Sequence, residues 1–245
     1  MYTQRVILAG KTIEIRKSTA PQRGRGGKGR AAKLNPTPEL QKRVNERKAV
    51  DTLTWRLNTN FGEGDTHMVL TYRREYTPTP AEARAHLEKF MRRARAYFRQ
   101  QGRELKYVTV TEYKRARVHH HLVLPEIPAA VLHDLWPFGR PHCTPLDESG
   151  DYRQLAEYLI KETSATFAEA EGPYKKRWNQ SKNLVEPKIT TETIKASTWR
   201  SDPKPRAGYY IKKDSIREGV HEVTGHLYQY YTMVMLPPKR KREKT

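Results

Sequence analysis

Three consecutive histidines, His119, His120 and His121, stand between Val118 and the apolar run Leu122-Val-Leu124. The apolar, β-branched surroundings predict a strand, Arg117–Leu124, whose side chains alternate between two faces. His119 and His121 then share one face and His120 takes the other. Two imidazoles spaced in this way can grip a single divalent cation. A preceding strand, Leu105–Tyr113, carries Glu112, and the short connection Lys114-Arg-Ala116 folds it back alongside. Glu112 thereby converges on His119 and His121, and two nitrogens plus one oxygen leave coordination positions open for substrate oxygens. A strand edge that carries three histidines and no metal is the plainer alternative.

A second chemical feature is Tyr152-Arg-Gln-Leu-Ala-Glu-Tyr-Leu-Ile-Lys161, whose pattern is helical. Tyr158 and Lys161 are helix-surface neighbours at i and i+3, beside an apolar stripe of Leu155 and Leu159. A tyrosine next to an ammonium can attack a phosphodiester, because the positive charge favours phenolate. The alternative places Tyr158 in the core and pairs Lys161 with Glu157. Together with a divalent cation the tyrosine acquires a purpose: an aryl phosphate ester stays reactive enough for a DNA 3′-hydroxyl to displace it later. Strand transfer then needs no ATP. Tyr152, six residues before Tyr158, lies about 120° away around a helix and is expected in the core.

The elements that must hold these residues follow from periodicity. A helix is predicted from Pro38 to about Asn58 and a strand over Thr66–Tyr72. A second helix runs from Thr79-Pro80 to about Gln101 and stops at Gly102. After the two strands above come a short helix near Pro128–Leu135, a strand around Pro141–Pro145, and a helix from about Asp151. The order β-α-β-β-α-β and a further helix predicts an α+β fold, an antiparallel sheet with helices on one face. Four regions result. Residues 1–35 form a hairpin (Gln4–Leu8 and Thr12–Ile15) and a basic flexible arm from Lys17 to Lys33. Residues 36–165 form the core with its preceding helix. Residues 166–236 are a polar, irregular C-terminal extension with a strand-like end at Val223–Met235, expected to contact DNA. Residues 237–245 are a basic tail. Within the arm, Gly26-Gly-Lys28 is no phosphate-binding loop, since Gly29 follows the lysine and Gln22 stands where a glycine is needed.

Composition narrows the partner. The 245 residues hold 47 Lys+Arg against 27 Asp+Glu, a formal charge of +20, which favours a polyanion and above all nucleic acid. The lone Cys143 excludes an internal disulfide framework and a multi-cysteine zinc site. No apolar run is long enough to span a membrane, and Met1–Leu8 lacks a signal-peptide stretch, so a cytoplasmic protein is expected.

Val118–Leu124 resembles the His-hydrophobic-His motif of the HUH endonuclease superfamily, and Tyr158-Leu-Ile-Lys161 resembles its Tyr-x-x-Lys motif. Val69-Leu-Thr-Tyr72 is similar to the first strand of rolling-circle replication initiators. Phe61-Gly-Glu-Gly-Asp65, Lys106–Glu112, Gly150–Ala156 and Pro203–Tyr209 resemble replication-associated (gene II-type) proteins of filamentous phages and related integrated elements. The resemblance implies a ferredoxin/RRM-like HUH fold, a five-stranded antiparallel sheet with the metal site on its central strands. It implies a Mg²⁺- or Mn²⁺-dependent nickase that forms a 5′-phosphotyrosine, with Glu112, His119 and His121 as metal ligands, Tyr158 as nucleophile and Lys161 as its basic companion. His120 occupies a position that is usually bulky and apolar, which leaves a shifted ligand pair open. No second tyrosine follows Tyr158 at three or four residues, which speaks against a two-tyrosine mechanism. The implied partners are single-stranded origin DNA with a hairpin, and a host helicase and polymerase in a bacterial cytoplasm. A transposase or relaxase would use the same site on other DNA. A noncatalytic single-stranded nucleic-acid-binding protein would need only the charge and aromatic residues.

Overall fold

The computed structural model describes residues 1–19, 38–113, 117–167, 176–221 and 225–237. The basic arm past residue 19, with Gly26-Gly-Lys28, the connection Lys114–Ala116 and the tail from residue 238 lie outside the described residues. Two compact units divide the chain: residues 49–186, and the residues up to Lys48 together with those from Pro187 onward.

The 49–186 unit is built on a five-stranded sheet. Its strands are β3 (Asp65–Thr71), β4 (Val108–Glu112), β5 (His119–Pro125), β6 (Pro141–Pro145) and β7 (Asn179–Gln180), in the order β6-β3-β5-β4-β7. Every neighbouring pair is antiparallel. Helix α2 (Pro80–Gln100) connects β3 to β4, and α3 (Ala129–Leu135) connects β5 to β6. Each crossover spans one intervening strand, the split β-α-β arrangement of ferredoxin-like sheets.

Helix α2 forms where its caps dictate. Thr79 caps it through the Glu82 amide while the Glu82 side chain returns to the Thr79 amide, and Pro80 opens the first turn. Gly102 ends it at φ 67°, a left-handed conformation that glycine adopts without steric cost. Its stripe of Leu87, Phe90, Met91, Ala94 and Phe98 packs with Met68, Leu70, Leu122, Leu124 and Trp136 on one side of the sheet. Truncating Phe90 or Phe98 to alanine at such sites costs about 3–5 kcal/mol.

The helices do not keep to one face. Helix α4 (Arg153–Phe167) and the C-terminal half of α1 (Pro38–Asn60) cover the other side, where Leu53, Leu57, Leu159 and Ile160 meet Val108, Val110 and Val123. β4 and β5 bury side chains on both faces (every residue of β4 is buried), and such strands need cover on each side. The ferredoxin-like pair α2 and α3 does share a face, as expected; α1 and α4 supply the second layer. No described helix is long and apolar enough to cross a membrane.

The second unit is a six-stranded antiparallel sheet. It contains β1 (Tyr2–Ala9), β2 (Thr12–Thr19), β8 (Lys188–Ile194), β9 (Tyr209–Ile211), β10 (Arg217–Val220) and β11 (Leu227–Met235). The order is β10-β11-β2-β1-β8, with β9 also paired to β11. The hairpin turns at Gly10-Lys11, where Gly10 takes φ 56°. Two expectations change here. The chain past residue 166 is not simply irregular, since β8 to β11 arise from it. The arm does not begin at Lys17: that residue lies in β2, buried, and donates to Gln229 Oε1 at 3.0 Å. Burial lowers the Lys17 pKa, against the opposing charge of Glu218.

Candidate active site

β5 is the middle strand of its sheet, and its alternation separates the histidines. Register places His119 opposite Glu112 and Thr71, and His121 opposite Val110 and Val69. His67 enters from β3 on that same face. His67, Glu112, His119 and His121 therefore look toward α4. His120 looks the other way and is buried, with Nε2 3.0 Å from the Tyr72 hydroxyl and Nδ1 2.8 Å from Thr111 Oγ1. Both its ring nitrogens are engaged, so the shifted ligand pair has no support in the structure.

The start of β5 is held by Arg117. Its guanidinium donates to the carbonyls of Arg73 (2.7 Å), Arg74 (2.9 Å) and Tyr76 (3.1 Å). His119 Nδ1 in turn donates to the Arg117 carbonyl at 2.7 Å. A carbonyl can only accept, so the proton sits on Nδ1 and the Nε2 lone pair is left for a cation. The neighbouring end of β3 is clamped as well. Trp136 Nε1 donates to the Thr71 carbonyl at 2.8 Å, and Gly139 passes so close to that carbonyl that any Cβ would collide with it.

His121 is buried. Its Nδ1 stands 3.2 Å from His67 Nε2, while its own Nε2 has no hydrogen-bond partner among the described residues. Burial, with smaller contributions from His119 and His67, pushes the His121 pKa down to about 3. Burial lowers that of His67 too. Both rings are thus neutral near pH 7, the state in which imidazole binds a metal.

Helix α4 brings the remaining groups. It is anchored at its start: Arg153 pairs with buried Asp51 at 3.1 Å, and the Tyr152 amide donates to Asn58 Oδ1 at 2.9 Å. Tyr152 is buried among Leu159 and its neighbours, as its helical angle suggests, and its hydroxyl donates to the Asp147 carbonyl at 2.9 Å. Burial first, then nearby carboxylates, push the Tyr152 pKa up to about 12. Tyr158 is different: it is 42% exposed, and its ring stands edge-on 5.3 Å from His121 and 6.2 Å from His67. Its pKa is raised by partial burial and by the charge of Glu162. Lys161 is exposed, and Glu157, its alternative partner, is held by Arg153 at 3.1 Å.

Glu162 is the residue sequence reasoning missed. One ligand atom each from His119, His121 and Glu162 lie within 4.8 Å of one another. Glu162 follows Tyr158 at i+4, so the helical spacing was a usable signal once Tyr158 was singled out. Glu112 shares the face by register and is fully buried, yet it is not part of that close group. The residues fit a divalent cation on their own chemistry: an orphaned buried nitrogen on His121, a free Nε2 on His119, and a carboxylate within reach.

The fold is thus α+β, a split β-α-β sheet whose central strand presents a His–Glu cluster beside a half-exposed tyrosine. Residues 65–164, from β3 to near the end of α4, match the family model of replication-associated proteins of the ORF2 and gene II protein type. This agrees with the resemblance to phage-type replication proteins carried by the motifs, and it ties the segment to replication and to nucleic acid. No curated protein and no solved structure gives a significant match.

Proposed function

We propose that the chain is an HUH-type, metal-dependent, sequence-specific single-stranded DNA endonuclease and strand transferase. It would nick a replication origin through Tyr158 and start rolling-circle replication in a bacterial cytoplasm, with a host helicase and polymerase. The observation that carries the reading is the position of Tyr158, whose exposed ring stands against His121 at the edge of the His119–His121–Glu162 cluster.

His119 and His121 would hold the cation through Nε2, with carboxylate oxygens from Glu112, Glu162 or both. Nitrogen donors favour Mn²⁺ over Mg²⁺ in affinity, although both suit the oxygens. When bound, the cation supplies positive charge to the scissile phosphate and to the attacking oxygen. The chain's own residues do the rest. Tyr158 Oη attacks phosphorus and gives up its proton, the 3′-oxygen departs and takes one up, and the 5′-phosphate remains on the tyrosine. The reverse attack by a 3′-hydroxyl rejoins the strand and restores the phenol. Lys161, one turn along α4, offsets charge on the phosphate and phenolic oxygens. Before substrate arrives, burial and Glu162 keep Tyr158 protonated, so the resting nucleophile is latent.

The test is incubation of the full chain with single-stranded origin DNA and Mn²⁺, followed by denaturing electrophoresis. A covalent adduct on a peptide containing Tyr158 is the expected result. A complex that salt dissolves completely, or an adduct on Tyr152, Tyr209 or Tyr210, would overturn the assignment.

A further inference from the structure

Helix α2 turns its apolar stripe to the sheet, and a second stripe, Arg84, Glu88, Met91, Arg95 and Arg99, runs along one side of it at helical spacing. Two adjoining hollows of about 430 Å³ and 670 Å³ lie along this stripe. They share Arg95, Tyr107 and Gln180 in their linings, so they form one continuous groove between α2 and the β4–β7 edge. Six cations line it, Arg84, Arg95, Arg99, Arg103, Lys176 and Lys182, against only Glu88 and Glu104. Both carboxylates are engaged, Glu88 by Arg84 at 2.9 Å and Glu104 by the Asn183 amide at 3.1 Å. Arg99, Arg103, Lys176 and Lys182 form no ion pair among the described residues. The floor carries a ring: Arg95 donates to the Tyr107 hydroxyl at 2.7 Å and lies over its face, 5.2 Å from the centroid.

We propose that this groove holds the backbone of a single DNA strand, away from the scissile phosphate. A line of cations above an aromatic floor and amide side chains is the chemistry that tracks a single strand. A hollow of this size admits one strand, whereas a duplex could only touch its rim. From Arg84 to Arg99 the stripe is about 22 Å long, at 1.5 Å per residue. The groove meets β4 near Val108, where that strand pairs with β7, while the candidate active site lies at its far end, where Glu112 pairs with His119. Strand bound here would flank the cleaved site. The proposal rests on the reading above only for the identity of the ligand as DNA.

The experiment compares two double variants of the full chain in EDTA, where nicking is off. Arg99→Gln with Arg103→Gln removes groove charge; Lys89→Gln with Arg93→Gln removes equal charge from the part of α2 turned away from it. Binding to a labelled single strand is followed across salt concentration. Each lost phosphate contact lowers the log–log slope by about 0.7, so the groove variant is expected to lose up to about 1.4 in slope, with the control near wild type. Equal losses in both variants, or none in the groove variant, would overturn the proposal by reducing the stripe to a solvated helix face. A loss confined to duplex probes would overturn it too. Nicking of a short oligonucleotide in Mn²⁺ is measured separately: its absence in wild type speaks against the catalytic reading and leaves the binding comparison intact.

Discussion

His120 and His121 are sequence neighbours, both buried, and both have a pKa pushed down to about 3 chiefly by burial. Their surroundings differ in one respect. His120 spends both ring nitrogens, on Tyr72 and Thr111, and ties the central strand to its neighbours. His121 leaves Nε2 buried without a partner, next to His119, Glu162 and an exposed tyrosine. An unsatisfied buried nitrogen costs roughly 1–3 kcal/mol, and a fold retains such a group where something outside the protein completes it. Perturbed titration alone therefore does not mark a functional histidine. The unspent lone pair does.

The comparison breaks most sharply at Tyr158. Tyr158→Phe keeps the ring against His121 and removes only the attacking oxygen. It is expected to abolish adduct, nicking and rejoining together, while thermal stability and DNA affinity in EDTA stay near wild type. Retention of any one of the three activities would move the nucleophile elsewhere.

The histidine pair gives the next effect. His121→Ala should eliminate Mn²⁺ binding in calorimetry and cleavage in gels with little loss of stability, because the atom removed had no protein partner. His120→Ala should do the reverse. It strands the Tyr72 and Thr111 hydroxyls in the core and is expected to cost about 2–4 kcal/mol in denaturant unfolding, while the folded fraction still binds Mn²⁺. A His120 variant that folds normally but cannot bind metal would invert the assignment.

The carboxylates follow. Glu162→Gln and Glu112→Gln are compared in Mn²⁺ titrations, and the ligand is the one whose loss weakens binding by about 10-fold or more. Glu162→Gln carries a second readout: it removes a charge that raises the Tyr158 pKa, so in the metal-free protein that phenol should ionise at lower pH in ultraviolet titration. No change there would separate Glu162 from Tyr158.

The smallest effect is acid sensitivity. With folded-state pKa values near 3 against about 6.5 when unfolded, His120 and His121 bind fewer protons in the native chain. Stability is full above pH 6.5 and is lost as pH falls toward 3. His120→Leu, which removes one of these titrations, should flatten that part of the stability curve. A slope unchanged between pH 6.5 and 3 would show that this ring is already charged in the fold.

Much of the 49–186 unit was legible because its signals are local. The Thr79-Pro80 start, the apolar stripe of α2 and the alternation in β5 each declare themselves within a few residues, and alternation alone put Glu112 on the face of His119 and His121. What stayed hidden depends on packing between elements. Glu162 and His67 join the site only because α4 lies over the sheet face and β3 sits beside β5. The cover on both faces could have been read from β4, whose five residues are all buried rather than alternating. β8 had a signal that went unused: the run Lys188-Ile-Thr-Thr-Glu-Thr-Ile194 is rich in β-branched residues, yet it is an exposed strand with no apolar face. β9 and β10 span three and four residues, too short for any period.

The bond between Lys17 and Gln229 joins positions 212 residues apart, and the sheet around it draws its strands from both ends of the chain. On the ribosome the 49–186 unit can close as soon as it has emerged, whereas the hairpin β1–β2, made first, must wait for β11. Through that interval one edge of β2 is an open template, the situation in which strands pair with the wrong chain. Expression yield should therefore be more sensitive to damage in Leu227–Met235 than the modest size of that strand suggests.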